Sequence, residues 1–419
     1  MKVLYVLSQK PGNTGSGIYL KYITKEALKY DVDVRIIVGI SNEKDLDNLS
    51  HIARNNIFPV FFGQDIPFKI AGMSDVMPYP STIFSKFTEK MFEVYCNGFQ
   101  KIFSQATHNW TPDIVHSNHL WITTALAINR FEKIPVITSC HGTSLRQKIL
   151  SPFIEKSIKH SLQKIDIVLA LTENQKKQII NWLQLDEKKL IVTGSGYAND
   201  IFCLPRNNMK LKNNKFKIIY AGKISFAKGV PYLVEAFKRI DKKLQNEMIL
   251  YLAGDYNNSE GEKIRNEIIK ENLSNVFFIG KLSQEKLSAK FKECSLFVLP
   301  SFFEGLPLVV MESLACGCNV IVSELPDLSA WINKDLIKND YVKFIPLPKL
   351  KRMDQPVETE IEEFIMNLKK GITYYAEKFF SNNLPDSTKI LNYINEHSFE
   401  NLFKKIFKIY INCNSRREK

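Results

Sequence analysis

The sequence predicts an α/β protein of two successive doubly wound domains facing each other across a cleft. Three observations predict it. Short Val- and Ile-rich runs, apolar on both faces, recur along the chain as buried parallel strands do. Amphipathic, helix-like stretches separate them. The alternation halts at a polar, basic, Pro-containing stretch over 203–215 and then starts again.

In the first series the strand-like runs are Val3–Leu7, Val34–Ile40, Ile114–His116, Pro135–Ser139, Ile167–Leu171 and Leu190–Val192. Tyr19, Tyr22, Ile23 and Ala27 follow the first run on one helical face. The second series runs through Phe216–Ala221, Met248–Ala253, Val276–Ile279, Leu296–Leu299 and Val320–Val322. Val230, Leu233, Val234 and Phe237 form the apolar face of the helix after its first strand. The expected organisation is an N-terminal domain over 1–202, a linker over 203–215 and a C-terminal domain over 216–386. A helical segment over 387–419 is expected to return to the first domain. Ligands of such sheets bind beyond the carboxyl ends of the strands, which places them in the cleft. Residues 57–110 break the rhythm with many aromatics, among them Phe58, Phe61, Phe62, Phe68 and Tyr79. From Phe84 onward the period is helical, with Phe84, Phe87, Met91, Val94, Gly98 and Ile102 on one face. This helix is expected to pack on the first domain, with an acceptor- or membrane-facing surface as the alternative.

A chain of 419 residues with 45% hydrophobic content is long and apolar enough for two or three packed domains. No apolar run reaches membrane-spanning length, and Val3–Leu7 is too short for a secretory leader, so a cytoplasmic location is expected. Seven scattered cysteines without a CxxC pair suit a reducing compartment. The net charge of +13 attracts anionic partners. No zinc-finger, RNA-binding or long basic signature accompanies it, so nucleic acid is not expected.

Residues 297–318 concentrate the chemistry. A strand ends at Leu299 and Pro300, a turn carries Glu304 and Gly305, and Pro307 suits the first position of a helix that Gly317 ends. The amides of Gly305, Leu306 and Leu308 then point out of a helix N-terminus, an anion site suited to a diphosphate. An ionised Glu312 would accept from a ribose diol, and Glu304 from sugar hydroxyls beyond the phosphates. Two lysines reinforce this edge. Lys223 follows Gly222 at the end of strand Phe216–Ala221, and Lys228 precedes Gly229 and the next helix.

These motifs resemble those of the retaining family 4 glycosyltransferases, whose fold is the two-Rossmann GT-B architecture. The E-x7-E motif is Glu304 to Glu312 within FEGLPLVVMESLACG. The G-R/K-x4-K-G loop is Gly222, Lys223, Lys228 and Gly229. The Gly-rich loop after the first strand is GNTGSGIYL, from Gly12 to Leu20. The likeness runs from Lys2 to about Asp327 and is sharpest over 216–327.

The resemblance implies transfer of a sugar from a nucleotide-diphosphate donor, UDP before GDP, to a sugar, glycan or lipid-linked acceptor, with retention. It implies no cofactor and no metal. Lys223 and Lys228 would neutralise the diphosphate, with Lys223 standing where many relatives have Arg. Gly305, Leu306 and Leu308 would offer amides, with Pro307 shaping the turn and Gly222 the opposite loop. Glu304 would orient the sugar and Glu312 the ribose. Ser16 and Gly17, aligned with a Gly-Gly pair, would let backbone approach the phosphates. His141, in SCHGTS, would bond a sugar hydroxyl or the acceptor. Base readout is expected near Gly280 and Lys281.

Other readings carry less. A nicotinamide dehydrogenase needs G-x-G-x-x-G and an acidic residue ending the second strand, and neither is present. A sugar-nucleotide epimerase of the same fold would share Glu312, but the basic loop favours transfer. Intact Glu304, Lys228, Glu312 and His141 argue against a non-catalytic sugar-binding protein that keeps the fold. Asp31-x-Asp33 falls between the first helix and second strand and reads as a turn. His116, His119 and His141 imitate a metal set without a paired carboxylate nearby.

Overall fold

A computed structural model describes residues 1–12, 14–75, 77–205, 215–352 and 354–415. The chain divides into one unit of residues 1–196 and 399–419 and a second of 197–398. Residues 197–202 and 387–398 thus group with the second unit, and the helix Phe399–Ser415 with the first. Most of the linker stretch, residues 206–214, lies outside the described residues.

The first unit is built on a 7-stranded sheet. Its strands are β1 (Lys2–Leu7), β2 (Asp33–Ile40), β3 (Ile57–Phe61), β6 (Ile114–Asn118), β7 (Val136–Ser139), β8 (Ile167–Ala170) and β9 (Leu190–Val192). The short strands β4 (Ala71–Gly72) and β5 (Thr82–Ile83) pair separately. The sheet order is β3-β2-β1-β6-β7-β8-β9, all parallel, so the order reverses between β1 and β6. β1 is buried from Val3 to Leu7, which is why it reads as an unbroken apolar run.

β3 was not legible in the sequence. Ile57 to Phe61 pair with Ile36 to Ile40, but Pro59 interrupts the pattern. A proline is accepted there because β3 is an edge strand with one neighbour.

The aromatic segment is core. Phe62, Phe84, Phe87, Tyr95, Phe99 and Trp121 join one buried cluster. The helix starts at Glu89, capped by Thr88, and buries Tyr95, Gly98, Phe99, Ile102 and Phe103, while Met91 and Val94 are half-buried. Gly98 lies so close to Ile66 that a Cβ would stand 2.6 Å from its side chain. No large exposed hydrophobic side chain falls between 57 and 110 among the described residues. Burial in the first unit accounts for these aromatics.

The second unit is built on a 6-stranded parallel sheet, ordered β12-β11-β10-β13-β14-β15. These are β10 (Phe216–Ala221), β11 (Met248–Ala253), β12 (Val276–Gly280), β13 (Leu296–Leu299), β14 (Asn319–Ser323) and β15 (Val342–Ile345). A small antiparallel pair, β16 (Leu350–Arg352) with β17 (Gln355–Pro356), follows. Here the order reverses between β10 and β13. Among the described residues, no helix is long and apolar enough to cross a membrane.

Candidate active site

In the second unit, the loops leaving β10 and β13 meet at the reversal of strand order, where doubly wound sheets bind ligands. Gly222 follows β10 and its amide donates to Ala253 O. Gly229 has φ +71 and precedes the helix Val230–Lys238. A Cβ on Gly229 would lie 2.1 Å from Pro300 O, so only glycine lets this loop rest on the chain leaving β13. The amide of Phe302 donates to Ala227 O at 3.0 Å and completes the seam.

This seam sets Lys228 beside Glu304. The Lys228 ammonium is 2.7 Å from the Glu304 carboxylate and donates to Phe303 O at 3.0 Å. Ser301 Oγ donates to the other Glu304 oxygen at 2.8 Å. Both pair members are partly exposed, at 25% and 18%. Lys223 stands apart: its carbonyl accepts from Tyr220 Oη at 2.6 Å and its side chain is exposed. Among the described residues, no carboxylate pairs with Lys223.

The helix after Glu304 runs from Leu308 to Ala315. Pro307, expected as its first residue, is instead the N-cap, with ψ 95 in the extended region. The ring still fixes φ at −75 and leads the chain into the helix. Val310 N donates back to Pro307 O, so it is not free for a ligand. Among the described residues, nothing accepts from the amides of Gly305, Leu306 or Leu308, the three expected to meet phosphate. A Cβ on Gly305 would meet nothing within 4 Å, so packing does not require glycine there. Gly317, at φ +83, ends the helix as expected, its amide bonding Leu314 O while Cys318 N reaches Ser313 O.

Glu312 is half-buried on this helix, and its carboxyl has no partner among the described residues. Burial without a compensating cation pushes its pKa up to about 8. At neutral pH the group is mainly protonated, so it can donate one hydrogen bond as well as accept, rather than accept twice as an ionised carboxylate.

In the first unit the corresponding reversal lies between β1 and β6. The helix Gly15–Leu28 begins there, capped by Thr14, whose hydroxyl accepts from Gly17 N. A Cβ on Gly17 would lie 2.5 Å from Gly12 N and 2.7 Å from Lys10 O. The bare Cα of Gly17 thus makes room for its own loop, and its amide is held by the Thr14 hydroxyl. Ser16 is buried, its Oγ donating to Gln9 Oε1 at 3.2 Å.

His141 follows β7, just before Gly142 at φ +87. Its Nε2 lies 3.0 Å from Asn118 Oδ1, and its ring sits edge-on to Tyr19 at 4.8 Å and beside His119 at 5.0 Å. Burial lowers its pKa to about 4, so the ring is neutral near pH 7. The three histidines do not converge on one point. His119 bonds Gln9 and Thr143, and His116 bonds Ser139 and Tyr410. Asp31 is a turn residue at φ 54, and Asp33 accepts from Trp110 Nε1 at 2.8 Å.

Two family models match the chain: glycosyl transferases group 1 over residues 205–339 and glycosyltransferase family 4 over 90–198. The chain belongs to this glycosyltransferase family. An uncharacterized glycosyltransferase of Methanocaldococcus jannaschii is 27% identical over 52% of this chain and 57% of its own length. The O-antigen chain mannosyltransferase B of Escherichia coli is 21% identical over 53% of this chain and 60% of its own. The alignments thus span little more than half of these curated relatives. Sucrose-phosphate synthase from Thermosynechococcus elongatus superposes with a TM-score of 0.64 at 15% identity, covering 99% of both chains. Anabaena HepE, solved with UDP and glucose, gives 0.64 at 15%, covering 98% of this chain and 100% of its own. The fold is GT-B.

For a glycosyltransferase of this family, sequence motifs located the loops but not their supports. No sequence motif marks Gln9, Asn118, Ser139 or Tyr410. Tyr410 lies 294 residues from His116, and no local pattern announces such a contact.

Proposed function

We propose that this protein is a retaining, hexosyltransferase-type glycosyltransferase. It would move a sugar from a nucleotide-diphosphate donor to an acceptor hydroxyl in glycan, polysaccharide or glycolipid synthesis. The observation that carries the reading is the seam at the β10/β13 reversal. It combines Lys228 against Glu304, unclaimed amides of Gly305, Leu306 and Leu308, and an unpartnered Glu312 on the same helix.

Lys228 and Lys223 neutralise the donor diphosphate, together with the helix amides. The diphosphate competes with Glu304 for Lys228, and a released Glu304 then meets sugar hydroxyls. Glu312 holds the ribose diol. Gly222 and Pro307 shape the two loops, and Ser16 lies at the start of the first-unit helix Gly15–Leu28. As the sugar–phosphate bond lengthens, charge develops on the leaving phosphate, and fixed cations and amides stabilise it. The acceptor hydroxyl attacks from the leaving-group side, which retains configuration, its proton passing to the departing phosphate oxygen, and no cofactor or metal is invoked. His141 accepts a hydrogen bond from a hydroxyl of the sugar or the acceptor.

UDP is the favoured nucleotide, supported by the UDP and glucose in the HepE structure, and GDP is the alternative. A Cβ at Gly280 would meet open space, which suits base contact with the backbone there. The donor domain is assigned to 216–386 and the acceptor side to 1–202. A sugar, glycan or lipid-linked acceptor is supported by the O-antigen mannosyltransferase among the relatives. The cytosol, with peripheral docking on its anionic membrane face, suits the net charge of +13.

Thermal-shift screening with UDP, GDP and their sugars, followed by nucleotide release on adding acceptor, tests the reading. Stabilisation by one nucleotide and acceptor-dependent release are expected. Donor binding without release points to the epimerase or binding-protein reading, and no stabilisation by any nucleotide overturns the site.

A further inference from the structure

The hydrogen bonds around His141 decide which of its nitrogens carries the proton. Asn118 ends β6 and is 1% exposed. Its amide group cannot turn freely, because Nδ2 donates to Val6 O of β1 at 3.2 Å. Oδ1 therefore faces His141 Nε2, 3.0 Å away. An amide oxygen only accepts, so Nε2 is the protonated nitrogen. Nδ1 then keeps its lone pair, and among the described residues nothing bonds to it. Tyr19 and His119 confine the ring from two sides, at 4.8 and 5.0 Å between centroids.

His119 is itself held. Gln9 Nε2 donates to Met77 Sδ, so Gln9 Oε1 is the acceptor for His119 Nε2 at 3.1 Å. Thr143 Oγ1 lies 3.3 Å from His119 Nδ1. His119 also adopts φ +70, a conformation that costs a non-glycine residue energy and that the surrounding bonds sustain. The neighbourhood thus fixes His141 in plane, and Asn118 fixes it in tautomer.

We propose that Asn118 is a positioning residue for transfer: it selects the Nε2–H tautomer of His141 and so dedicates Nδ1 to accepting a hydrogen bond from a substrate hydroxyl. This rests on the reading of His141 as substrate-facing. It also limits the ligand chemistry. A lone pair at Nδ1 attracts a hydroxyl proton and repels a phosphate oxygen, so His141 recognises a sugar hydroxyl and not the diphosphate.

Ring-¹⁵N-histidine NMR of the full chain tests the tautomer without reference to activity, with His141→Gln assigning the signal. The wild type is expected to show one Nε2–H imidazole for His141, Asn118→Asp to keep it, and Asn118→Leu to lose it. Turnover in Asn118→Leu is expected to fall by at least about tenfold with affinity for the free nucleotide diphosphate unchanged, the scale of one lost hydrogen bond. Asn118→Asp should recover most of it. An Nδ1–H or averaging His141 in the wild type overturns the inference without any variant. A folded Asn118→Leu that has lost the tautomer but turns over normally also overturns it. A wild type with the Nε2–H tautomer but no transfer to any acceptor overturns the transferase reading instead, leaving the tautomer selection standing.

Discussion

At the scale of single residues, Glu312 and Gly305 separate fold from function. The Glu312 pKa of about 8 lies above its ordinary value of 4.5. The folded chain therefore binds this proton more tightly than the unfolded chain. The stability it contributes is fully present below about pH 4.5 and is lost as pH rises through about 8. Glu312→Gln should hence gain stability relative to wild type between pH 5 and 9, opening a gap of several degrees in Tm. A constant gap across a pH series would show Glu312 ionised throughout. The Gln amide also offers one donor side and one acceptor side, so at pH 7 it should keep most nucleotide binding in a titration calorimeter, whereas Glu312→Ala should weaken it. Gly305→Ala meets no neighbour in the fold, so its Tm should stay within about 1 °C of wild type. Its methyl group would still stand beside the amides offered to phosphate, and donor affinity should drop.

The loop pair at the β10/β13 reversal behaves as one element. Gly229→Ala must both hold φ +71 with a side chain and push against Pro300 O, so a loss of at least about 2 kcal/mol is expected by denaturant unfolding. Lys228→Met removes the ion pair to Glu304 and the bond to Phe303 O together. Being partly exposed, the pair contributes little to stability, so the melting temperature should barely move. Turnover should fall at least about tenfold if the lysine carries phosphate charge. Equal turnover in steady-state assays would remove Lys228 from the chemistry. In the first unit, the helix Phe399–Ser415 is likewise tied in by side chains. Phe399 stacks on Tyr22 at 4.8 Å, and Tyr410 reaches His116 and Tyr5 in the core. Tyr410→Phe leaves His116 short of a partner and should cost about 1–3 kcal/mol, read by the same unfolding measurement.

For the whole molecule, the net charge of +13 and the burial of the 57–110 aromatics define the membrane question. Any docking on anionic vesicles should be electrostatic and so fall steeply from low to physiological salt. Salt-insensitive flotation would require an apolar surface that this segment does not supply. Bound donor should stabilise the fold by mass action, by about 2.7 kcal/mol at a hundredfold excess over Kd, and so raise the melting temperature.

The alternation of buried strands and amphipathic helices was legible because parallel strands covered on both faces must be apolar throughout. Phe216–Ala221, Met248–Ala253 and Leu296–Leu299 accordingly appear where their composition placed them. The motif loops were legible because glycines, a proline and acidic residues at fixed spacing follow local backbone rules. Ile57–Phe61 was hidden by Pro59, which only an edge position tolerates. Proximity in space was decided by the tertiary structure alone. Lys228 meets Glu304 because three crossovers bring β10 beside β13, and a single glycine lets their loops touch. Asn118 could be read as a strand-end polar residue and nothing more. It acquires a purpose only when β6 lies between β1 and β7, with Val6 O on one side to orient its amide and His141 on the other to receive it. Spacing along a chain encodes local conformation; which proton an imidazole keeps depends on groups that folding brings from elsewhere.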